Sequence, residues 1–191
     1  MVLKRLSAID WKAKQHAYGS AQNIPGLLQE LVDAKPARKK RALDELSNLI
    51  AHQGFAEEIA IDVVPFLIEL VTEDCGADRA GILVLLADLS VGGWHGHLVA
   101  EASLDEILRG EMVATLRSKV AEGRKVFKSL LKDKSTSIRG AAFLCLALGE
   151  WQKGDDILDV LVHTIEREKS ASTLASMLCS LGLAVCCRQC T

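Results

Sequence analysis

Aromatic residues make up only 4% of this 191-residue chain, with a single tyrosine, and there are three prolines. Runs of β-branched residues are few as well, so little in the sequence favours a pleated sheet. Alanine and leucine dominate the apolar content instead, and such small or unbranched side chains suit close helix packing. No run of about 18 apolar residues is present, which excludes a membrane span by sequence. Residues 1–12, MVLKRLSAIDWK, lack the long apolar core of a signal peptide. Six cysteines would suit a secreted chain, yet Cys145 and Cys179 fall in apolar helical faces, where free thiols pack as small hydrophobes. A cytoplasmic protein with reduced thiols is therefore expected. Also missing are a Ser/His/Asp set, a glycine-rich phosphate loop and an acid pair at working spacing. Glu57-Glu58 and Asp155-Asp156 are adjacent pairs near helix starts, where carboxylates are favourable anyway. No enzyme activity and no cofactor are expected.

With 49% hydrophobic and 25% charged residues the chain is that of a folded protein. Its net charge of −2 hides an uneven spread. Lys+Arg against Asp+Glu gives 9 and 5 over residues 1–50, 1 and 8 over 51–100, and 13 and 12 over 101–191. The acidic second quarter argues against a general polyanion-binding face and favours a cationic or mixed protein partner.

What the sequence does contain is an internal ruler. An acid at Asp33, Glu73, Asp133 and Glu166 is followed six places on by Lys39, Arg79, Arg139 and Ser172. Nine places on stand Ala42, Ile82, Ala142 and Ala175; thirteen places on stand Leu46, Leu86, Leu146 and Cys179. Leu27, Leu67, Phe127 and Val160 precede the acids by six. Repeats of this period indicate stacked helix pairs, none of which can bury its apolar face alone.

Residues 1–19 read as a lead-in whose Trp11 and Tyr18 cover the open end of the array. Ser20 to Asn23 then supplies an N-cap for a helix with Pro25 in its first turn and Leu27, Leu28 and Leu31 as its apolar stripe. Pro36 starts the partner helix, which runs to about His52 and stops at Gly54. These elements form the repeat 20–54. Repeat 55–92 has helices near 57–73, bent or restarted at Pro65, and 77–90. An inserted segment, 93–111, follows; with Gly92 before it, three glycines fall in the five residues 92–96, so its start cannot be regular helix. Repeats 112–149 and 155–187 come next, and no strand is expected between Asn23 and Val185. The last helix ends near residue 187 with no polar cap after it, so either its face pairs with something or the array is longer.

With the acid–x5–basic–x2–small–x3–apolar register in place, the chain resembles the HEAT-repeat α-solenoids. Asp133, Ile138, Arg139, Ala142 and Leu148-Gly149 carry the closest match. Residues 9–92, with HAYGSA, HQG and VVPFLIELV, also resemble a bacterial HEAT-like subgroup, some members of which are linked with toxin–immunity systems. The resemblance implies an all-α fold, a right-handed α-α superhelix (HEAT-like or armadillo-type solenoid) of about four helix pairs over residues 1–191. It also implies a structural ladder in which Asp133 and Arg139 pair between neighbouring repeats. Ser172 departs from the pattern where a basic residue belongs.

Among shorter motifs, Trp94-His95-Gly96-His97 offers two histidines at i, i+2. A metal site normally needs three or four ligands, so partner contact or a plain loop is the stronger reading. Cys187 and Cys190 form a Cys-x-x-Cys with neither a second pair nor a strand-to-helix context, which reads as a frayed helix end. The cations of Lys35 to Arg41 sit at a helix N-terminus, where the dipole favours anions; a solvated face is favoured over a phosphate contact. His52 is read as a helix cap and His163 as a packed core histidine.

The function expected is a non-enzymatic protein-binding scaffold whose second helices line a concave surface. Asp74, Asp78, Arg79 and Asp88 are candidate contacts, with Trp94 and His95 on the inserted loop. An immunity-type inhibitor is the sharpest version and comes from the resemblance alone. The alternative is a nucleic-acid-binding or DNA-repair protein in which Arg38 to Arg41, Arg117, Lys119, Arg124 and Lys125 converge on one basic face. A lyase-like or cofactor-helper role has no supporting residue set. Self-association through the uncapped C-terminal face is also expected.

Overall fold

A computed structural model describes residues 3–73, 75–93, 110–149 and 156–189, with side chains as far as Ala184. Among the described residues it is mostly helical, with nine α-helices. These are α1 (Ile24–Asp33), α2 (Pro36–Ile50), α3 (Ala60–Thr72), α4 (Arg79–Ser90), α5 (Glu111–Ala121), α6 (Arg124–Leu130), α7 (Thr136–Leu148), α8 (Ile157–Arg167) and α9 (Ala171–Gln189). A 3-10 helix, Lys4–Ala8, precedes them. The neighbours α1 and α2, α3 and α4, α6 and α7, and α8 and α9 pack together as pairs. Across pairs, α2 touches α4, α4 packs on α7 and α7 on α9, while α5 lies against α3 and α4.

Each helix owes its place to an apolar stripe at helical spacing. Leu27, Leu28 and Leu31 of α1 are buried, as are Leu43, Leu46, Leu49 and Ile50 of α2. The core helices α4 and α7 are apolar nearly all round: Ile82, Leu83, Leu85, Leu86 and Leu89 face Ala141, Phe143, Cys145, Leu146 and Leu148 within one continuous cluster. Cys145 sits at that interface, its thiol donating to the Leu83 carbonyl at 2.9 Å. Burial pushes this thiol well above its ordinary pKa, so it stays protonated and acts as core filler. Cys179, by contrast, is exposed, against its expected apolar setting.

Several boundaries differ from the sequence reading. The helix around Pro65 is continuous from Ala60 to Thr72. The first helix of the third pair is split into α5 and α6 around Gly123, where a Cβ would come within 2.4 Å of the Phe127 ring. The largest correction lies between Asn23 and Val185, where no strand was expected. Two short antiparallel ladders occur, β1 (Gln15–His16) with β2 (Gly19–Ser20), and β3 (Ala51–His52) with β4 (Phe55–Ala56); the second of them falls inside that range. Gln53 and Gly54 close it at φ 51° and 85°, the positive values that a two-residue hairpin turn needs at both central positions. Gly54 thus closes a hairpin instead of capping α2, which ends at Ile50.

Trp11 is buried, donates its indole N–H to the Leu6 carbonyl at 2.7 Å and packs 6.1 Å from Phe66 of α3. Tyr18 does not cover the end of the stack: it is 59% exposed. Its hydroxyl instead lies 2.8 Å from His52 Nδ1 and accepts from Asn48 Nδ2 at 3.2 Å, tying the first hairpin to the second. His52 is therefore a hairpin residue paired across 34 positions and not a helix cap.

Candidate functional site

The successive second helices α2, α4, α7 and α9 leave one face uncovered, and two adjoining hollows lie along it. One, about 650 Å³, is lined by Leu43 and Asp44 of α2, Val84 and Asp88 of α4, Leu148 of α7 and Leu183 of α9, among others. The other, about 960 Å³, runs past the turns before α4, α7 and α9 and includes Arg79, Asp133 and Ser172. Asp78, Gly81, Val84, Leu144 and Ser180 line both, so the two are continuous. The floor is aliphatic, and Val84 is half exposed there, an unusual position for a valine in a core helix. Asp44, Asp78 and Asp88 line the first hollow against the single cation Lys40.

The candidate contacts fall on this groove where they are described. Asp78 caps α4, accepting the Gly81 amide at 3.0 Å. Arg79 and Asp88 also line it. Asp74, Trp94 and His95 lie outside the described residues.

Arg79 has a second duty. Its Nε donates to the Val71 carbonyl at 3.0 Å and its Nη1 lies 3.4 Å from Asp133 Oδ2, so the turn before α4 is tied to the turn before α7. Arg139 does the same one pair later: Nε and Nη2 each donate at 2.8 Å to the two oxygens of Glu168. Its Nη1 donates to the carbonyls of Asp133 and Lys134 at 2.9 and 3.2 Å. In the first pair, Lys39 donates to the Gly76 carbonyl at 2.9 Å. Three cations thus each reach a turn in the next helix pair.

The acid of the last rung is Glu168, not Glu166 as the ruler suggested. Asp133 accepts the Ser135 amide at 2.9 Å, and Glu168 accepts the Ser170 amide at 2.8 Å, so Asp133-Lys134-Ser135 and Glu168-Lys169-Ser170 are the equivalent turns. Glu166 is exposed and sits 3.8 Å from His163. The turn before α9 is two residues shorter than that before α7, but in both the acid stands three residues before the next helix. His163 is correspondingly exposed, with Arg167 Nη1 3.0 Å from its Nε2, and is not a core residue.

Glu168 has only 3% of its side chain exposed. The hydrogen bonds from Arg139 outweigh the cost of burial and hold its pKa down at about 2, against an ordinary 4.5. The fold therefore binds the carboxylate form more strongly than the unfolded chain does. This contribution, about 2–3 kcal/mol, is complete above pH 4.5 and is lost as pH falls from there toward 2. Acid titration of the folded protein, followed by circular dichroism, should show Glu168→Gln flattening this limb of the stability profile.

Several of the cations that a basic nucleic-acid face would need have partners of their own. Arg38 pairs with Glu30 at 2.6 Å, Arg117 donates to the Ser90 carbonyl at 3.2 Å, and Lys119 pairs with Glu122 at 2.8 Å. Of Arg38 to Arg41, Lys40 lines the groove of second helices. Among the described residues no group of three or more His, Cys, Asp or Glu side chains is placed to hold a metal ion, and no helix is long and apolar enough to cross a membrane.

Comparison of the chain with protein-family models, curated proteins and solved structures finds no match.

Proposed function

We propose that the chain is a non-enzymatic protein-binding scaffold that holds a partner segment in the groove of α2, α4, α7 and α9. The helix pairs then form a right-handed α-α superhelix, in keeping with the HEAT-like repeat register of the sequence. The observation that carries the proposal is the groove itself: an aliphatic floor, with Val84 half exposed, whose first hollow is lined by Asp44, Asp78 and Asp88 against one lysine. Such a surface suits an amphipathic segment carrying lysine or arginine beside its apolar side chains. A regulatory or immunity-type inhibitor acting in the cytoplasm is the form of scaffold that the HEAT-like resemblance favours.

A charge on the groove floor tests the idea. Val84→Arg puts a guanidinium among Leu144, Leu148 and Leu183 and should weaken partner binding at least tenfold, more than about 1.4 kcal/mol. Leu158→Arg, at another exposed apolar position, serves as control. Each full-length protein would be used as bait in an extract of its native cells, with folding checked by circular dichroism. A partner retained by wild type and Leu158→Arg but lost with Val84→Arg supports the groove. Equal retention by all three removes it.

A further inference from the structure

A second hollow, away from the groove, has the opposite charge. It measures about 490 Å³ and opens between α6 and α8 and the turns after them, within the size range of small-molecule pockets. Its lining includes five cations and one acid, Glu168. Internal pairing accounts for three of the five: Arg139 is held by Glu168, Lys128 by Asp156 at 2.5 Å, and Arg167 has its Nη1 3.0 Å from Nε2 of His163, which also lines the hollow. The helix end favours Arg167 as well, because cations are favoured in the last turn, where it ends α8. The helix-end effect does not extend to Lys132 or Lys169, which lie beyond the helices and whose side chains nevertheless border the same hollow.

The floor is apolar. Leu131 is buried, Val160 is partly buried, and the Thr164 hydroxyl is turned back onto the Val160 carbonyl at 2.7 Å. That hydrogen bond occupies the hydroxyl with the helix backbone and leaves the threonine methyl as the group free for an apolar contact. Lysine and arginine stems are themselves aliphatic, so side chains of this kind wall a pocket with methylenes and hold their charges at the water boundary. The hollow therefore combines a greasy interior with a cationic mouth.

We propose that this hollow binds an amphiphilic organic anion, its acyl or aryl body on Leu131, Val160 and Thr164 and its carboxylate or phosphate head at Lys132, Arg167 and Lys169. Arg167, whose Nη1 meets His163, keeps Nε and Nη2 as a planar fork suited to two oxygens of one head group; the two ammonium groups add charge without fixed geometry. The site is independent of the partner groove.

Calorimetry with the full chain at low salt tests the assignment, using octyl phosphate, octanoate and uncharged octyl glucoside below their micelle concentrations. Binding of either anion, with the glucoside at least tenfold weaker, is expected. The double variant Lys132→Gln/Arg167→Gln should lose at least tenfold in affinity, while Lys40→Gln, in the groove, should change nothing. Neither substitution touches the Arg139–Glu168 pair, so folding should be retained, as thermal melting would show. The proposal is overturned if neither anion binds, if the glucoside binds equally well, or if the double variant binds like wild type. Association with vesicles of anionic phospholipid in the absence of binding to the free amphiphiles would also overturn it, since that would mark a membrane-surface patch instead.

Discussion

Arg139→Ala is expected to unfold about 3 kcal/mol more easily than the wild type, measured by urea denaturation at pH 7. The substitution strips two 2.8 Å hydrogen bonds from Glu168, a carboxylate with 3% of its side chain exposed. It also removes the donor that bridges the carbonyls of Asp133 and Lys134. The cost arises chiefly from the group left behind, a largely covered ionised carboxylate balanced only by the backbone amides of Ser170, at 2.8 Å, and Lys169. For that reason Arg139→Met/Glu168→Met should recover most of the loss, because no stranded charge is present. If the double variant were as unstable as Arg139→Ala, the pair would be acting through shape and not through charge. Arg38→Ala, which opens an exposed pair with Glu30 at 64% and 32% exposure, should leave the denaturation midpoint almost unmoved.

Gly93→Ala should be of similar size, about 3 kcal/mol, combining backbone strain with a forced shift of neighbouring backbone. Gly92 and Gly93 end α4 with the paired bonds of a Schellman motif: the Gly92 amide donates to Leu89 and the Gly93 amide to Asp88. Gly93 has φ +96°, and a Cβ there would stand 2.0 Å from the Gly54 carbonyl oxygen. Two backbones touch at this point, one from the end of α4 and one from the turn of the β3–β4 hairpin, and the Ala56 amide donates to the Gly92 carbonyl beside them at 2.9 Å. An added methyl must push the hairpin off the helix end. Amide exchange at Ala56 should accelerate in Gly93→Ala by more than global destabilisation explains. Unchanged protection there would mean the hairpin yields without losing its contact.

The sequence revealed those features whose cause is local. Pro25 and Pro36 mark helix starts through their missing amides, and Leu27, Leu28 and Leu31 repeat at helical spacing, so α1 and α2 could be placed without a structure. Asp133 and Arg139 stood out because their separation repeats along the chain. Glu168 was missed because Leu174, not a basic residue, stands six places beyond it, while apolar matches at Ala175 and Cys179 set the ruler on Glu166; the repeated acid-Lys-Ser triplet was the better guide. His52-Gln53-Gly54-Phe55 looked like a helix stop because a glycine after an apolar helix usually is one, whereas a two-residue hairpin turn uses the same glycine. Contacts that depend on docking, such as Tyr18 with His52 or Lys132 with Arg167 around one hollow, leave no trace in spacing. Asp78 and Asp88 were selected for their charge, and only the packing of α4 between α2 and α7 puts both on one groove.

The rungs Lys39 to Gly76, Arg79 to Asp133 and Arg139 to Glu168 all point the same way along the chain. Each joint is thus fixed by a cation from the upstream module and an acceptor in the downstream one, like a plug moulded with its socket. Cutting and rejoining modules would require the upstream cation and the downstream acceptor to be kept together at every joint. At the position in α9 that matches Arg139, four residues after the capping serine, stands Leu174. A designer grafting another helix pair behind α9 would have to write the missing connector in at that position.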